Sequence, residues 1–430
     1  MLLAEPTAES ATDTSRPPRH YLPEGFLVTD WAAIEPFFQE LQVRPVYAPA
    51  ELERWLLDRS ELESVLSEDL AWRYIRMTCD TQDPARSEAF QYFVNEVEPL
   101  VAPYDHALNE KMLASPHLAG LDERRYGVFL RSVRRASEIY RVENIPLKTD
   151  ISTKQQQYAA TVGAMNVSLD GQDLTLPQAA DRLKNPNRAV RETAWRVIQA
   201  RRLQDAKPLD ELFTELVGLR HQVALNAGFA NFRDYMFAAM GRFDYTPQDC
   251  FNFHAAIRET VVPLIDDFDL ERRQDLSLSA LRPWDLDVDP SGQPPLRPFG
   301  TGEELLDKTI TVFQNLDSYL GDCLRTMRQM GHLDLESRKG KAPGGYNYPL
   351  DETGVPFIFM NATSSLRVED EVPLLEANPA LTAHIAHQMY LPTPVVFSTG
   401  LVTDGDDYLI ASGEADLACR MTRLPKSRFM

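Results

Sequence analysis

The sequence predicts a mainly α protein of two lobes with a small β element. Three observations point there. Apolar residues recur at helical spacing from Trp31 onward, helix caps and N1 prolines punctuate those runs, and 430 residues exceed what one core usually encloses. The composition of 43% hydrophobic and 25% charged residues is that of a soluble globular chain and excludes wholesale disorder.

Residues 1–22 are rich in Ser, Thr, Ala, Pro and Glu, too poor in apolar surface to offset ordering entropy, and are expected to be a flexible N-terminal segment. Residues 23–202 read as a helical lobe. Pro49-Ala50-Glu51-Leu52 opens one helix, and Phe90, Phe93, Val94, Val97 and Leu100 mark the buried stripe of another. Tyr126, Phe129, Leu130 and Val133 repeat the pattern, with Arg131, Arg134 and Arg135 as the solvated side. Asp170-Gly171 lies between two alternating runs, Met165–Leu169 and Gln172–Leu176. That is a hairpin signal, because both turn residues tolerate positive φ. Pro177 then opens a helix at a position where its missing N–H costs nothing.

The second half is punctuated as clearly. Leu209, Leu212, Phe213, Leu216, Leu219 and Val223 form one stripe after Pro208. Thr246-Pro247-Gln248-Asp249 opens the next helix, and Thr301-Gly302-Glu303-Glu304 is a capping box before another. From Gly331 the texture changes. A glycine turn, Gly344-Gly345, leads into Tyr346-Asn347-Tyr348, and Phe357-Ile358-Phe359-Met360-Asn361 is a short β-prone run. A Gly-rich turn beside a strand often marks where backbone meets a ligand; a small sheet closing the core is the equal alternative.

Charge excludes several functions. Lys and Arg number 44 against 64 Asp and Glu, a net charge of −20 and a pI of about 4.9. Such a surface repels phosphates and anionic lipid heads, so neither nucleic acid nor a membrane is expected as a partner. Cys79, Cys250, Cys323 and Cys419 are far apart and form no Cys-x-x-Cys, which argues for a reducing compartment without disulfides. The start, Met1-Leu2-Leu3-Ala4-Glu5-Pro6, has no basic region or long apolar run, so a cytoplasmic location is expected.

Several motifs together resemble the oligoendopeptidase F and thimet oligopeptidase family over residues 23–366. They are Arg220–Phe229, Asn231-Phe232-Arg233-Asp234-Tyr235, Leu281-Arg282-Pro283-Trp284-Asp285-Leu286, Gly344–Tyr348 and Phe357–Thr363. The resemblance implies a two-lobed, clam-shaped helical metallopeptidase-like fold enclosing a channel for short peptides, and zinc-dependent cleavage of peptide bonds. It makes residues 23–202 the N-terminal lobe and 203–366 the proximal part of the catalytic domain. It places Gly344, Gly345, Tyr346, Phe357, Met360 and Asn361 against substrate, by backbone pairing with an extended peptide.

The chain departs from the family after Arg367. Zinc needs two histidines one helical turn apart, a glutamate beside the first and a later carboxylate, and no His-Glu-x-x-His occurs anywhere in the sequence. Leu374, Leu375 and Asn378 stand where those ligands are expected, and Pro373 and Pro379 would break the helix. Residues 367–430 therefore read as a divergent tail, with the texture of a frameshifted or recombined gene end and poor packing. The fold is expected to be truncated at its C-terminal part, with no zinc bound, no catalytic residue and no metal ligand assigned. His384 and His387 are the alternative metal pair, with Glu376 or Asp370 in reach. A non-catalytic peptide-binding protein is the other alternative. The residues set no oligomeric state.

Overall fold

The computed structural model describes residues 17–364 and, beyond them, the backbone of three strands at 396–404, 407–414 and 418–425. In chain order the helices begin with α1 (Trp31–Val43), α2 (Pro49–Cys79) and α3 (Pro84–Tyr92). A π turn (Phe93–Val97) leads into α4 (Glu98–Leu113), followed by α5 (Glu123–Ile139) and α6 (Asn144–Gly163). After the hairpin β1 (Asn166–Leu169) and β2 (Gln172–Thr175) come α7 (Leu176–Ala180), α8 (Arg188–Gln204), α9 (Ala206–Asn226) and α10 (Phe232–Ala239). Next are α11 (Pro247–Ala256), α12 (Val262–Asp275), α13 (Gly302–Leu316) and α14 (Ser318–Gln329). The strands β3 (Leu333–Glu336), β4 (Tyr346–Tyr348) and β5 (Phe357–Ala362) close the fully described part. The last three strands, β6 (Val396–Asp404), β7 (Asp407–Glu414) and β8 (Ala418–Pro425), form an antiparallel meander in the order β6-β7-β8. Among the described residues no helix is long and apolar enough to cross a membrane.

The local signals produce the elements expected of them. Pro49 and Pro84 stand at the starts of α2 and α3, and the Asp30 carboxylate accepts from the Ala33 N–H at 2.9 Å to cap α1. The hairpin turns on Asp170 (φ 55°) and Gly171 (φ 73°), the paired positive φ that Asp-Gly permits. Thr301 caps α13 through the Glu304 N–H at 3.2 Å. Glu304 in return takes the Gly300 N–H at 2.6 Å, one residue before the donor a capping box uses.

Two expectations are corrected. Residues 19–22, expected to be part of a flexible segment, are held in place: Leu22 is buried and Arg19 pairs with Glu352 at 2.6 Å, because Glu61 gathers the N–H groups of His20, Tyr21 and Leu22. In the second, Phe90, Phe93, Val94 and Val97 are buried, but Leu100 is 46% exposed. Past the π turn the packed face continues through Val101, Tyr104, Leu108 and Met112 instead.

The residues group into two compact units, each assembled from segments that are discontinuous in the chain. One unit takes 17–176, 199–246 and 327–362. Its largest core packs Ile34, Phe38 and Leu41 of α1 on Leu52, Trp55 and Leu62 of α2 and Leu108 and Met112 of α4. A second cluster packs Ala71, Ile75 and Cys79 at the end of α2 against Phe357 and Phe359. The other unit takes 177–198, 247–326 and the described residues from 363 onward. Within it Asp285 is fully buried and pairs with Arg188 and Arg191.

Candidate peptide-binding site

The small sheet has the order β3-β5-β4, with β5 parallel to β3 and antiparallel to β4. All six residues singled out from the sequence lie on it or on its turn. Phe357 is completely buried, edge-on to Trp72 at 5.7 Å, so its side chain is core. The backbone of β5 is engaged on both sides, Ile358 and Phe359 pairing with β3 and with β4. That occupies the pairing groups through which Phe357–Asn361 would hold a peptide; Met360 keeps an exposed side chain.

Asn361 has a different use. Its Nδ2 donates to the carbonyls of Ala342 (2.9 Å) and Gly344 (2.8 Å), fixing the turn that feeds β4. Gly344 holds φ 86°, and a Cβ on Gly345 would come within 3.1 Å of the Phe359 carbonyl oxygen. The two glycines are thus required by conformation and by close approach. Tyr346 stacks on Phe359 (4.7 Å, 2°) and shares a 2.6 Å hydrogen bond with the Thr78 hydroxyl. Burial pushes its phenol well above the usual range, so it stays neutral. Among the described residues no strand pairs with the outer edge of β4, where Gly344, Gly345 and Asn347 are exposed. An unpaired edge beside two side-chain-free residues can take an extended backbone.

The turn rests on a buried charge cluster that sequence reading missed. The Lys341 side chain, 1% exposed, donates to Asp334 Oδ1 (2.9 Å) and to the carbonyls of Asp334 (3.1 Å), Glu336 (3.0 Å) and Met360 (2.5 Å). Its ammonium also lies 4.3 Å from the Phe359 ring centroid. Burial alone would raise the Asp334 carboxyl, but Arg338 and Lys341 hold it down at about 2. Burial and the Asp334 charge push the Cys79 thiol up to about 12, which leaves it inert. Arg338 reaches the Cys79 carbonyl at 2.8 Å, the Thr81 N–H donates to the Gly340 carbonyl at 2.7 Å, and the Ala342 N–H donates to the Thr78 carbonyl at 2.8 Å. The end of α2 therefore carries the sheet. In sequence Lys341 sits in a polar Gly/Pro turn, and nothing local announces its burial.

Sequence models of the M3 peptidases match two stretches: the M3 N-terminal domain at residues 26–140 and peptidase family M3 at residues 182–389. The chain belongs to peptidase family M3. The second match runs past Leu366, where the resemblance in sequence motifs ends, and takes in His384 and His387.

Solved structures agree with the M3 fold. A protein assigned as oligoendopeptidase F is similar at a TM-score of 0.74 and 26% identity, over 79% of this chain and 60% of that one. PZ peptidase A with an inhibitor reaches 0.74 at 23% identity, over 79% of this chain and 60% of that one. A protein assigned as oligoendopeptidase F from Bacillus anthracis str. Ames reaches 0.74 at 22%, over 79% and 62%. The chain thus spans about 60% of the length of these M3 structures. No curated protein matches it.

M3 peptidases are zinc enzymes, and the described residues do not fit that ion. Among them no group of three or more His, Cys, Asp or Glu side chains could hold a metal. His332, the histidine nearest the sheet, points its Nδ1 at the Val355 carbonyl (2.9 Å), and burial lowers its pKa. Glu376, Asp370, His384 and His387, and the positions Leu374, Leu375 and Asn378, lie outside the described residues.

Proposed function

We propose that this chain is the peptide-holding part of an M3 oligopeptidase, binding short extended peptides along β4 without cleaving them. The supporting observation is the edge of Tyr346–Tyr348, unpaired among the described residues, beside the Gly344-Gly345 turn that Asn361 fixes and the Lys341 cluster carries. Backbone pairing on a sheet edge supplies affinity with little dependence on sequence, which suits a site for varied short peptides. Of the six residues read from sequence, Gly344, Gly345 and Tyr346 would meet substrate, while Phe357, Met360 and Asn361 would support them. Hydrolysis would need a zinc-bound water with its pKa lowered towards ~7 and a nearby carboxylate base. The missing His-Glu-x-x-His makes that step the one expected to fail. Four scattered cysteines without a Cys-x-x-Cys pair suit a reducing, cytoplasmic setting.

A fluorogenic peptide titrated against the purified chain tests the reading. Saturable binding without turnover, unchanged by chelator, is expected, and Gly345→Val should weaken binding by removing the close approach to Phe359. Binding unaffected by Gly345→Val would overturn the β4 site. The second reading is a metal hydrolase using His384 and His387, favoured by the family match that reaches residue 389. One tightly held zinc per chain, with chelator-sensitive turnover lost in His384→Ala, would establish it.

A further inference from the structure

Two buried polar atoms at the seam between α2 and α4 are without a hydrogen-bond partner among the described residues: Arg59 Nη1 and Asp105 Oδ1. Arg59 is 5% exposed; its Nε donates to Glu63 Oε1 at 2.7 Å and its Nη2 to Asn109 Oδ1 at 2.8 Å. Asp105 lies on α4, one turn before Asn109. Two carboxylates therefore share one guanidinium, and that guanidinium bonds only one of them.

The charges around α4 sharpen this imbalance. From α2 come Arg59 and Glu63. Glu35 of α1 accepts from the Tyr104 hydroxyl at 2.9 Å, Tyr140 at the end of α5 stacks on His106 at 4.0 Å, and Lys148 of α6 acts on Glu98. Among the described residues only the charges of Glu63 and Arg59 act on Asp105. Burial pushes its carboxyl up to about 7, the Glu63 charge pushes the same way, and Arg59 opposes them.

We propose that Asp105 is a proton-operated latch on the α2–α4 seam, closed when its carboxyl is neutral and loosened when the proton leaves for solvent. A carboxyl whose folded pKa is raised contributes stability below its unfolded value of about 3.9. That contribution is lost as pH rises through the folded value near 7. The same two helices wall a cavity of about 510 Å³ between Leu52 and Trp55 on one side and Lys111 and Met112 on the other.

The test is the melting temperature of the full chain from about pH 4 to about pH 8.5, beside Asp105→Asn and Glu63→Gln. Asp105→Asn should melt above wild type at the alkaline end and converge with it at the acid end. Its α4 amides, corrected for intrinsic exchange, should keep the protection that wild type loses. Glu63→Gln removes the like charge and should move the fall in stability to lower pH. A constant offset between wild type and Asp105→Asn overturns the latch. If Asp105→Asn does not fold, a Glu63→Gln profile identical to wild type overturns it instead.

Discussion

Asp285 has no exposed surface and accepts from Arg188 (2.8 Å), Arg191 (2.8 Å) and the Arg282 N–H (3.0 Å). Burial would raise its pKa, but the arginine bonds outweigh it and hold the carboxyl below its usual value. Asp285→Ala would strand the Arg191 guanidinium, which is 2% exposed, and should cost about 3–5 kcal/mol in urea unfolding. Asp334 sets an acid limit in the other unit. Its folded value of about 2 lies below the unfolded value of about 3.9, so its contribution is complete above the latter and is lost as pH falls through the former. Arg338→Met removes its strongest partner, so far-ultraviolet circular dichroism should show acid unfolding beginning at higher pH than in wild type. In sequence, Asp285 is legible only as a member of the Leu281–Leu286 motif, and Lys341 only as a turn residue. Burial of a charge depends on groups far along the chain, such as Arg188 and Arg191 for Asp285.

At the scale of elements the hairpin is the most fully legible. Its register, Asn166 opposite Thr175 through Leu169 opposite Gln172, follows from Asp-Gly alone. Gly171→Ala places a Cβ at φ 73° and should destabilise by roughly 1–2 kcal/mol, with thermal unfolding as the measure. The β5 strand was legible as a strand but not in its place. A run of Phe, Ile and Met reads the same at an edge or a centre, and only pairing with both Leu333–Glu336 and Tyr346–Tyr348 shows it to be central. The stripe on α4 shows a related limit, since a π turn just before the helix leaves Leu100 outside the packed face.

For the whole molecule, apolar periodicity identified helices but not what covers them. Val312 (62% exposed) and Leu316 (57%) on α13 and Ile265 and Phe268 on α12 are open in the unit around Asp285. Exposed stripes of this kind bind apolar probes. The native chain should therefore enhance the fluorescence of a hydrophobic dye, and Leu316→Lys with Phe268→Lys should reduce it without lowering helix content. The helices, their caps and the Asp-Gly turn were determined by the sequence itself, because those signals act within a few residues. The mainly α class and the M3 membership were legible for the same reason, as local patterns and motifs. Tertiary structure alone decided which strand lies at the centre of the sheet, which lysine is buried beneath it, and how 177–198 and 199–246 divide between two units. Each of these depends on contacts between segments tens to hundreds of residues apart, and no local periodicity encodes which distant segment arrives.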